Sequence, residues 1–381
     1  MDFEGTEVQR AISAAARKFA TERAAPAAAE ADRRARFPEE LIRELGDLGL
    51  LSVNGPSAHG GSEAGAVAYA LAVMEIARAD CSLAVTMAVT NMVGETIARF
   101  GTEGQKARCL PRLASGEWLA GSFGLSEPQA GSDPNSMTTR AVRRGDRWVL
   151  NGTKQWITSG DRAGVIIVWA RSDSSAGNKG ITAYLVEGGT PGLHVGRHEE
   201  KMGIRSSSTV SLTFEDCEVG GDAVLGHEGH GLRVALAALD GGRIGIASQA
   251  TGTLQAALDA SARYARERKA FGAPIASFQA ISFALADMQT AHDAARLLTL
   301  RAAMKKEAGE RFGREAAMAK LFASEAAQVA VSKAVQVHGG YGYVDEFPVE
   351  RLFRDARVQT IYEGTSEIQR MVIARDVLGL E

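Results

Sequence analysis

The chain has 381 residues, more than one ordinary domain of roughly 150, so two or three domains are expected. Forty-three basic and 46 acidic residues leave a formal charge of −3, and 23% charged with 45% apolar residues is the balance of a globular protein, not a disordered or membrane-embedded one. No block is basic enough to give the face of a dedicated nucleic-acid binder.

The first block, residues 1–120, reads as helical. Val8, Ile12, Ala15, Ala16 and Phe19 recur at three- and four-residue intervals, which puts them on one helical face. Pro38 suits the first turn of a second helix whose stripe is Leu41, Ile42, Leu45 and Leu48, with its exit at Gly46–Gly49. A Gly- and Ser-rich loop, Asn54–Gly65, precedes two further helical stretches, Ala66–Ala79 and Ser82–Phe100.

In residues 121–230 the period changes. Arg147–Leu150, Val165–Ala170, Ile181–Val186 and Thr209–Phe214 are short runs rich in β-branched and aromatic residues, and Arg144-Gly145-Asp146 and Asn151-Gly152 read as turns between them. Strands without intervening helices predict an antiparallel barrel or sandwich. From 231 to 381 the helical period returns in Leu232–Arg268, Phe278–Lys306, Ala316–Val337 and a last segment after Gly364, enough for a four-helix bundle.

Cys81, Cys109 and Cys217 are too few and too scattered for a disulfide framework or a thiolate zinc site, and read as free thiols of a reducing compartment. The opening MDFEGTEVQR has no apolar signal segment, and no run of about 18 to 20 apolar residues is expected to span a membrane. Cytoplasm is the expected location.

The common nucleotide-binding glycine motifs, HExxH and GxSxG are absent. His227 and His230 in GHEGHG have a spacing that could suit a metal, but flanking glycines favour a bending surface loop, and no metal is expected. His338-Gly339-Gly340-Tyr341-Gly342 lets backbone approach a ligand closely, or ends a helix at a Gly cap. Ser122–Pro134 is either a binding loop or a domain connection, and Trp156 in TKQWITSG is either barrel core or a ring stacked on a flat cofactor. Glu363 precedes a helix that Ser366 and Gln369 could start as a capping box, with Thr365 the competing cap. In an apolar pocket its carboxylate would be a general base; in solvent it is an acid favouring the helix dipole.

Six segments in this order, LSEPQAGSD (125–133), NGTKQWITSG (151–160), LDGGRIGIASQA (239–250), RKAFGAPI (268–275), HGGYGY (338–343) and RDARVQTIYEGTSEIQR (354–370), resemble the acyl-CoA dehydrogenases over nearly the whole chain, nearest to the short-chain, butyryl-CoA members. The resemblance implies an N-terminal helical domain, a middle β-barrel and a C-terminal four-helix bundle, with bound FAD, a homotetramer, and electrons passing to an electron-transferring flavoprotein in fatty-acid metabolism. It implies that Glu363 removes the pro-R α-proton of an acyl-CoA while a β-hydrogen leaves as hydride to flavin N5. The enolate-like thioester oxygen would meet the Glu363 main-chain N–H and a flavin ribityl hydroxyl.

By the same resemblance Ser126 sits near flavin N5 and O4, and Trp156 and Thr158 pack along the ring. Arg268, Phe271 and Gln279 face the pyrophosphate and adenine side, where Arg268 suits phosphate oxygens. Gln336 and Gly340 reach the same dinucleotide from another subunit, and Thr365 and Glu367 approach its adenosine half. Ser132, Asp240 and Arg243 are matched to the CoA moiety, and Tyr362 and Gly364 flank the base at the substrate. One subgroup places its catalytic Glu at the position matched by Gly242; this chain carries Gly242 and has Glu363. The rival readings are a carrier-protein-bound, branched or aromatic acyl substrate, a flavin oxidase, and a non-catalytic flavoprotein or scaffold. A dicarboxylyl substrate is disfavoured because Thr86–Ile97 has no Arg or Lys.

Overall fold

The structure, a computed structural model, describes residues 5–380. Its N-terminal part is helical: α1 (Glu7–Phe19), α2 (Ala25–Arg34), α3 (Glu39–Asp47), α4 (Gly65–Ala79), α5 (Cys81–Phe100) and α6 (Glu103–Ala114), with one π turn at Ala20–Ala24. Ala16 and Phe19 are buried as their spacing predicts, but Val8 is 54% exposed. Gln9 is turned inward beside it because Gln9 and Thr6 cap each other reciprocally. In α3, Leu41, Ile42 and Leu45 are buried, whereas Leu48 lies past the helix end and is exposed. Contrary to the sequence expectation, α5 is long and apolar enough by length and composition to cross a membrane, but 89% of its most apolar window is buried in the protein. Packing on both sides by neighbouring elements explains its hydrophobicity.

The middle part is one sheet of β1 (Ala120–Gly124), β2 (Arg140–Arg144), β3 (Arg147–Thr158), β4 (Ala163–Arg171), β5 (Ile181–Glu187), β6 (Leu193–His198), β7 (Thr209–Gly220) and β8 (Val224–Leu225). The order is β6-β7-β3-β2-β4-β5-β8 with β1 added on β4. Most pairs are antiparallel, but β1 runs parallel to β4 and β2 meets β4 in parallel, so the sheet is mixed. Gly145 makes the expected turn, at φ 64°. Asn151-Gly152 does not turn: β3 continues through it, with a register shift there against β7. Gly152, at φ 148°, is needed because a Cβ would stand 2.6 Å from Thr139 Cα, so the dipeptide is a bulge.

The C-terminal part comprises α7 (Gly231–Glu267), the short hairpin β9 (Lys269–Ala270) and β10 (Ala273–Pro274), α8 (Gln279–Glu307), α9 (Gly313–His338), α10 (Val349–Ala356) and α11 (Ser366–Leu378). Ala316, Ala319, Ala323, Ala327, Ala330 and Ala334 form the buried stripe of α9, and their small side chains let the long helices approach closely. Gly252 does the same between α7 and α4, where a Cβ would meet Met74 O at 2.2 Å. One core cluster runs through α4, α5, the sheet and the bundle. The three parts are also joined by polar contacts: Gln105 of α6 donates to the carbonyls of Asp222 and Val224, Arg354 of α10 pairs with Asp32 of α2 at 2.7 Å, and buried Asp355 accepts from Ile204 N.

Candidate active site

The loop between α10 and α11 presents Glu363 in the left-handed region, at φ 53°, a conformation that costs a non-glycine residue energy and persists only when its surroundings impose it. The surroundings are specific. Gln369 Nε2 donates to the carbonyls of Glu363 (3.1 Å) and Gly364 (2.8 Å), and Lys320 Nζ donates to the Gly364 carbonyl at 2.8 Å. The Tyr362 hydroxyl donates to Gln249, whose own amide donates to Cys81 O at 2.8 Å inside the core. Thr365, not Ser366, caps α11, with its hydroxyl accepting from Ile368 N. The anticipated Ser366–Gln369 capping box does not form, because the Gln369 amide is engaged by the carbonyls beside the base and Ser366 Oγ is buried without a partner.

Glu363 Oε2 is fully shielded and has no hydrogen-bond partner. Burial pushes the carboxyl up to about 7, against the opposing pull of Arg243 and Lys320. The carboxyl is therefore buried, not the solvated acid of the other alternative. Gly242 of α7 makes room for it: a Cβ there would lie 2.6 Å from Glu363 Oε2 and 2.7 Å from Met92 Sδ. The two positions at which the family can carry its base therefore face one point in space. Asp240 points elsewhere, accepting from Arg243 Nη1 at 2.6 Å. Arg243 is buried, and its Nε has no partner. The Glu363 main-chain N–H makes no hydrogen bond among the described residues.

In the sheet, β3 bulges between Lys154 and Ile157. Trp156 sits in the bulge at φ 64° with 61% of its surface exposed, so it is not barrel core; an exposed, backbone-constrained indole is a platform for a flat ring. Gln155 N donates to Ser126 O at 2.9 Å, and Ser122 Oγ donates to Thr158 O at 2.7 Å. The Ser122–Pro134 loop is thereby joined to the Trp156–Thr158 strand end. Its anchor, which the motifs do not reveal, is a wholly buried ion pair, Lys154 Nζ to Glu127 Oε1 at 2.8 Å. Glu127 also accepts from Thr138 N, Thr138 Oγ1, Thr139 N and Gln129 Nε2, and these donors with Lys154 hold it well below the usual carboxylate range despite burial. Ser132 is exposed at the tip of the loop.

The remaining residues lie elsewhere. Thr365 and Glu367 line a cavity of about 240 Å³ with Glu325 and Arg357. Arg268, Gln336 and Gly340 line one depression of about 580 Å³ together with Tyr264, His338 and Tyr341, and the Arg268 guanidinium lies 5.6 Å from the Tyr341 ring centre. Phe271 projects from the β9–β10 turn, 98% exposed at φ 51°, and Gln279 opens α8 nearby. The resemblance divides these five between two subunits. Within one chain Arg268 shares its depression with Gln336 and Gly340, and roughly 39 Å of helix separate Arg268 from Gly242. His338 ends α9 with Gly339 as its cap, which serves the turn and opens the depression at once.

Comparison with known proteins shows the family. Residues 6–117, 122–217 and 229–378 match the acyl-CoA dehydrogenase N-terminal, middle and C-terminal domain profiles. The short-chain specific acyl-CoA dehydrogenase of Bos taurus mitochondria is 48% identical over 373 residues, 98% of this chain and 90% of that protein. The butyryl-CoA dehydrogenase structure from Megasphaera elsdenii superposes with a TM-score of 0.97 at 43% identity, covering 99% of this chain and all of the other. A chain from a study of the electron transferring flavoprotein of Acidaminococcus fermentans superposes at 0.98 with 42% identity, again over 99% of this chain and all of that one. The chain belongs to the acyl-CoA dehydrogenase family.

Two further residues went unseen in the sequence. Tyr69 of α4 reaches across to α7, where a Cβ on Gly245 would meet its hydroxyl at 2.5 Å. Lys306 of α8 comes beside Gly241 and supplies the cation that Thr86–Ile97 lacks, but it is paired with Glu95 at 2.6 Å and so is already neutralised.

Proposed function

We propose that this chain oxidises the Cα–Cβ bond of a short-chain acyl-CoA to the trans-2-enoyl thioester, with Glu363 as the base. FAD fits the residues present: an exposed Trp156 ring in a constrained bulge, Thr158 and Ser126 joined beside it, and an unpartnered carboxylate oxygen on the bundle side. When bound, the flavin supplies the acceptor for the hydride equivalent leaving the β-carbon. Everything else is the work of the chain. A buried carboxyl near 7 is basic enough to take an α-proton and is still partly ionised near neutral pH. The free Glu363 N–H is a donor for the thioester oxygen, where charge develops as the proton leaves. Gly242 leaves space beside the base, and the charges of Arg243 and Lys320 both favour its ionised form.

The observation that carries this reading is the buried, unpartnered Glu363 Oε2 facing Gly242. The test is anaerobic mixing of the purified protein with butyryl-, branched, aromatic and pantetheine-carrier thioesters. Bleaching of the flavin band by butyryl-CoA is expected, and no bleaching by any thioester refutes the reading.

The separation of Arg268 from Gly242 supports a homo-oligomer in which Arg268, Phe271, Gln279, Gln336 and Gly340 serve the cofactor of a second copy, and a homotetramer is our proposal. Electron-transferring flavoprotein is the acceptor we propose, on the likeness to the Acidaminococcus fermentans chain. Three buried, unpaired cysteines suit the cytoplasm, where we place the protein.

A further inference from the structure

Lys320 is a wholly buried lysine on the alanine stripe of α9, and nothing in the sequence motifs assigns it. It forms no ion pair within 4 Å among the described residues, and its one hydrogen bond goes to the carbonyl of Gly364, next to the base. Removing an ammonium from water costs several kcal/mol even after relaxation. A neutral donor would satisfy one carbonyl at far lower cost, so the charge calls for a reason of its own.

The geometry supplies two. Gly364 O receives Lys320 from α9 and Gln369 from α11, while Glu363 O receives Gln369. The two peptides that follow the base are thus clamped from both helices, which holds Glu363 at φ 53°. The ammonium, moreover, sits on the peptide next to the base, and its charge favours the ionised carboxylate. The groups around Glu363 are Arg243 from α7, Lys320 from α9, Tyr69 from α4 and the adjoining Tyr362; those around Lys320 are Glu363, Arg243, Glu367 and Glu325. Arg243 is held by Asp240, whereas Lys320 has no carboxylate of its own.

We propose that Lys320 is a positioning residue for the base: its ammonium fixes the Gly364 carbonyl and stands as the unpaired counter-charge of the Glu363 carboxylate. The proposal rests on Glu363 being the base. Consistent with it, the Lys320 cation favours the ionised form of Glu363, and burial brings the lysine itself down to about 8. With the cation gone, Glu363 should hold its proton to higher pH.

The test compares the FAD-loaded wild type with Lys320→Met, Lys320→Gln and Lys320→Arg. The readouts are the pH profile of kcat/KM for butyryl-CoA and an infrared titration of the Glu363 carboxyl, whose band is identified by its loss in Glu363→Gln. In Lys320→Met the acidic limb and the infrared midpoint move up by about one pH unit, the scale of one nearby partly shielded charge, and kcat falls more than KM rises. Lys320→Gln keeps a donor for Gly364 without charge, so the limb moves while kcat is better preserved. Lys320→Arg restores the limb. Should Lys320→Met not fold, Lys320→Gln carries the comparison. An acidic limb and infrared midpoint unmoved in the loaded neutral variants overturn the proposal. If wild-type flavin is not reduced by any acyl-CoA, the functional reading itself fails, and the infrared titration still decides whether Lys320 faces Glu363.

Discussion

Breaking the Glu127–Lys154 pair should be costly, and unequally so from its two sides. Removing one member of a buried pair strands the other charge, at about 3–5 kcal/mol. The two stranded charges are not equivalent. In Lys154→Met the Glu127 carboxylate keeps Thr138 N (2.6 Å), Thr138 Oγ1 (2.9 Å), Thr139 N (3.0 Å) and Gln129 Nε2 (2.8 Å), so the cost belongs at the lower end, about 3 kcal/mol. In Glu127→Leu the ammonium keeps only Leu125 O at 3.1 Å, while the Thr138 and Thr139 N–H groups lose their acceptor, so the cost belongs at about 5 kcal/mol. The double variant strands no charge and should be less destabilised than Glu127→Leu alone. Urea unfolding followed by tryptophan fluorescence reads mainly the sheet, since three of the four tryptophans, Trp148, Trp156 and Trp169, lie in it. Flavin retention should fall in the same order, because Ser126 adjoins Glu127 and Trp156 is two residues from Lys154. The pH dependence has a definite sign. With its folded value depressed to about 2, Glu127 contributes stability above the ordinary carboxylate range near ~4.3 and loses it as pH falls through about 2. Equal costs for the two single variants, or a double variant as unstable as the two single losses added together, would refute the reasoning.

Glu363→Gln should retain FAD and acyl-CoA but lose flavin bleaching by about 10²–10⁴-fold, the usual contribution of a general base; near-normal reduction in stopped flow removes Glu363 from that role. In the wild type, with the base near 7, kcat/KM should decline as pH falls below that value. Gly242→Ala forces a methyl to within 2.6 Å of Glu363 Oε2 and 2.7 Å of Met92 Sδ. It should cost about 1–3 kcal/mol and about tenfold in kcat with FAD still bound, and unchanged kcat would show that this space is not used. Asp355, buried with its carboxyl raised to about 7, favours folding most at low pH, below the ordinary aspartate value, and that advantage is lost as pH rises through about 7. Asp355→Asn keeps an acceptor for Ile204 N, so denaturation midpoints should show it less harmful at pH 8 than at pH 5; the opposite ranking contradicts a raised carboxyl.

What the sequence disclosed followed periodicity, and what it hid followed tertiary contact. The long helices declared themselves through apolar recurrence, and β4, β5 and β7 through β-branched runs. β2 and β6 did not, because their mostly exposed residues, RAVRR and LHVGRH, carry too little alternation. β1, AGSFG, lacks branched residues and is held by a parallel partner 40-odd positions away, a pairing no local pattern encodes. Asn151-Gly152 was misread because a turn and a bulge demand the same glycine freedom. At the site, Glu363 and its flanking motif were legible as candidates, but Glu127 and Lys154 belong to separate motifs and meet only when the strand and loop pack. Lys320 left a trace, a charged residue on the alanine face of α9, where a lysine is seldom fully buried without a partner.

The division of the cofactor residues between subunits turns on a length that was already within reach. A helix over Leu232–Arg268 was expected from periodicity, and the observed α7 covers Gly231–Glu267. At about 1.5 Å per residue, the stretch from Gly242 to Arg268 already sets the neighbourhood of Glu363 far from Arg268. Motif order along a chain says which residues a family uses; only the rigid rise of the helix between them says which can meet in one copy. Since no bend brings Arg268 back toward Glu363 while α7 stays unbroken, Arg268→Ala should leave base-dependent chemistry intact but weaken FAD retention. Mixed oligomers then give the decisive measurement. Wild-type chains combined with Arg268→Ala, Glu363→Gln double variants should contain sites pairing a mutant base with a wild-type arginine, and the converse. If flavin retention tracks the arginine of the same chain that holds the base, the two-copy assignment is wrong.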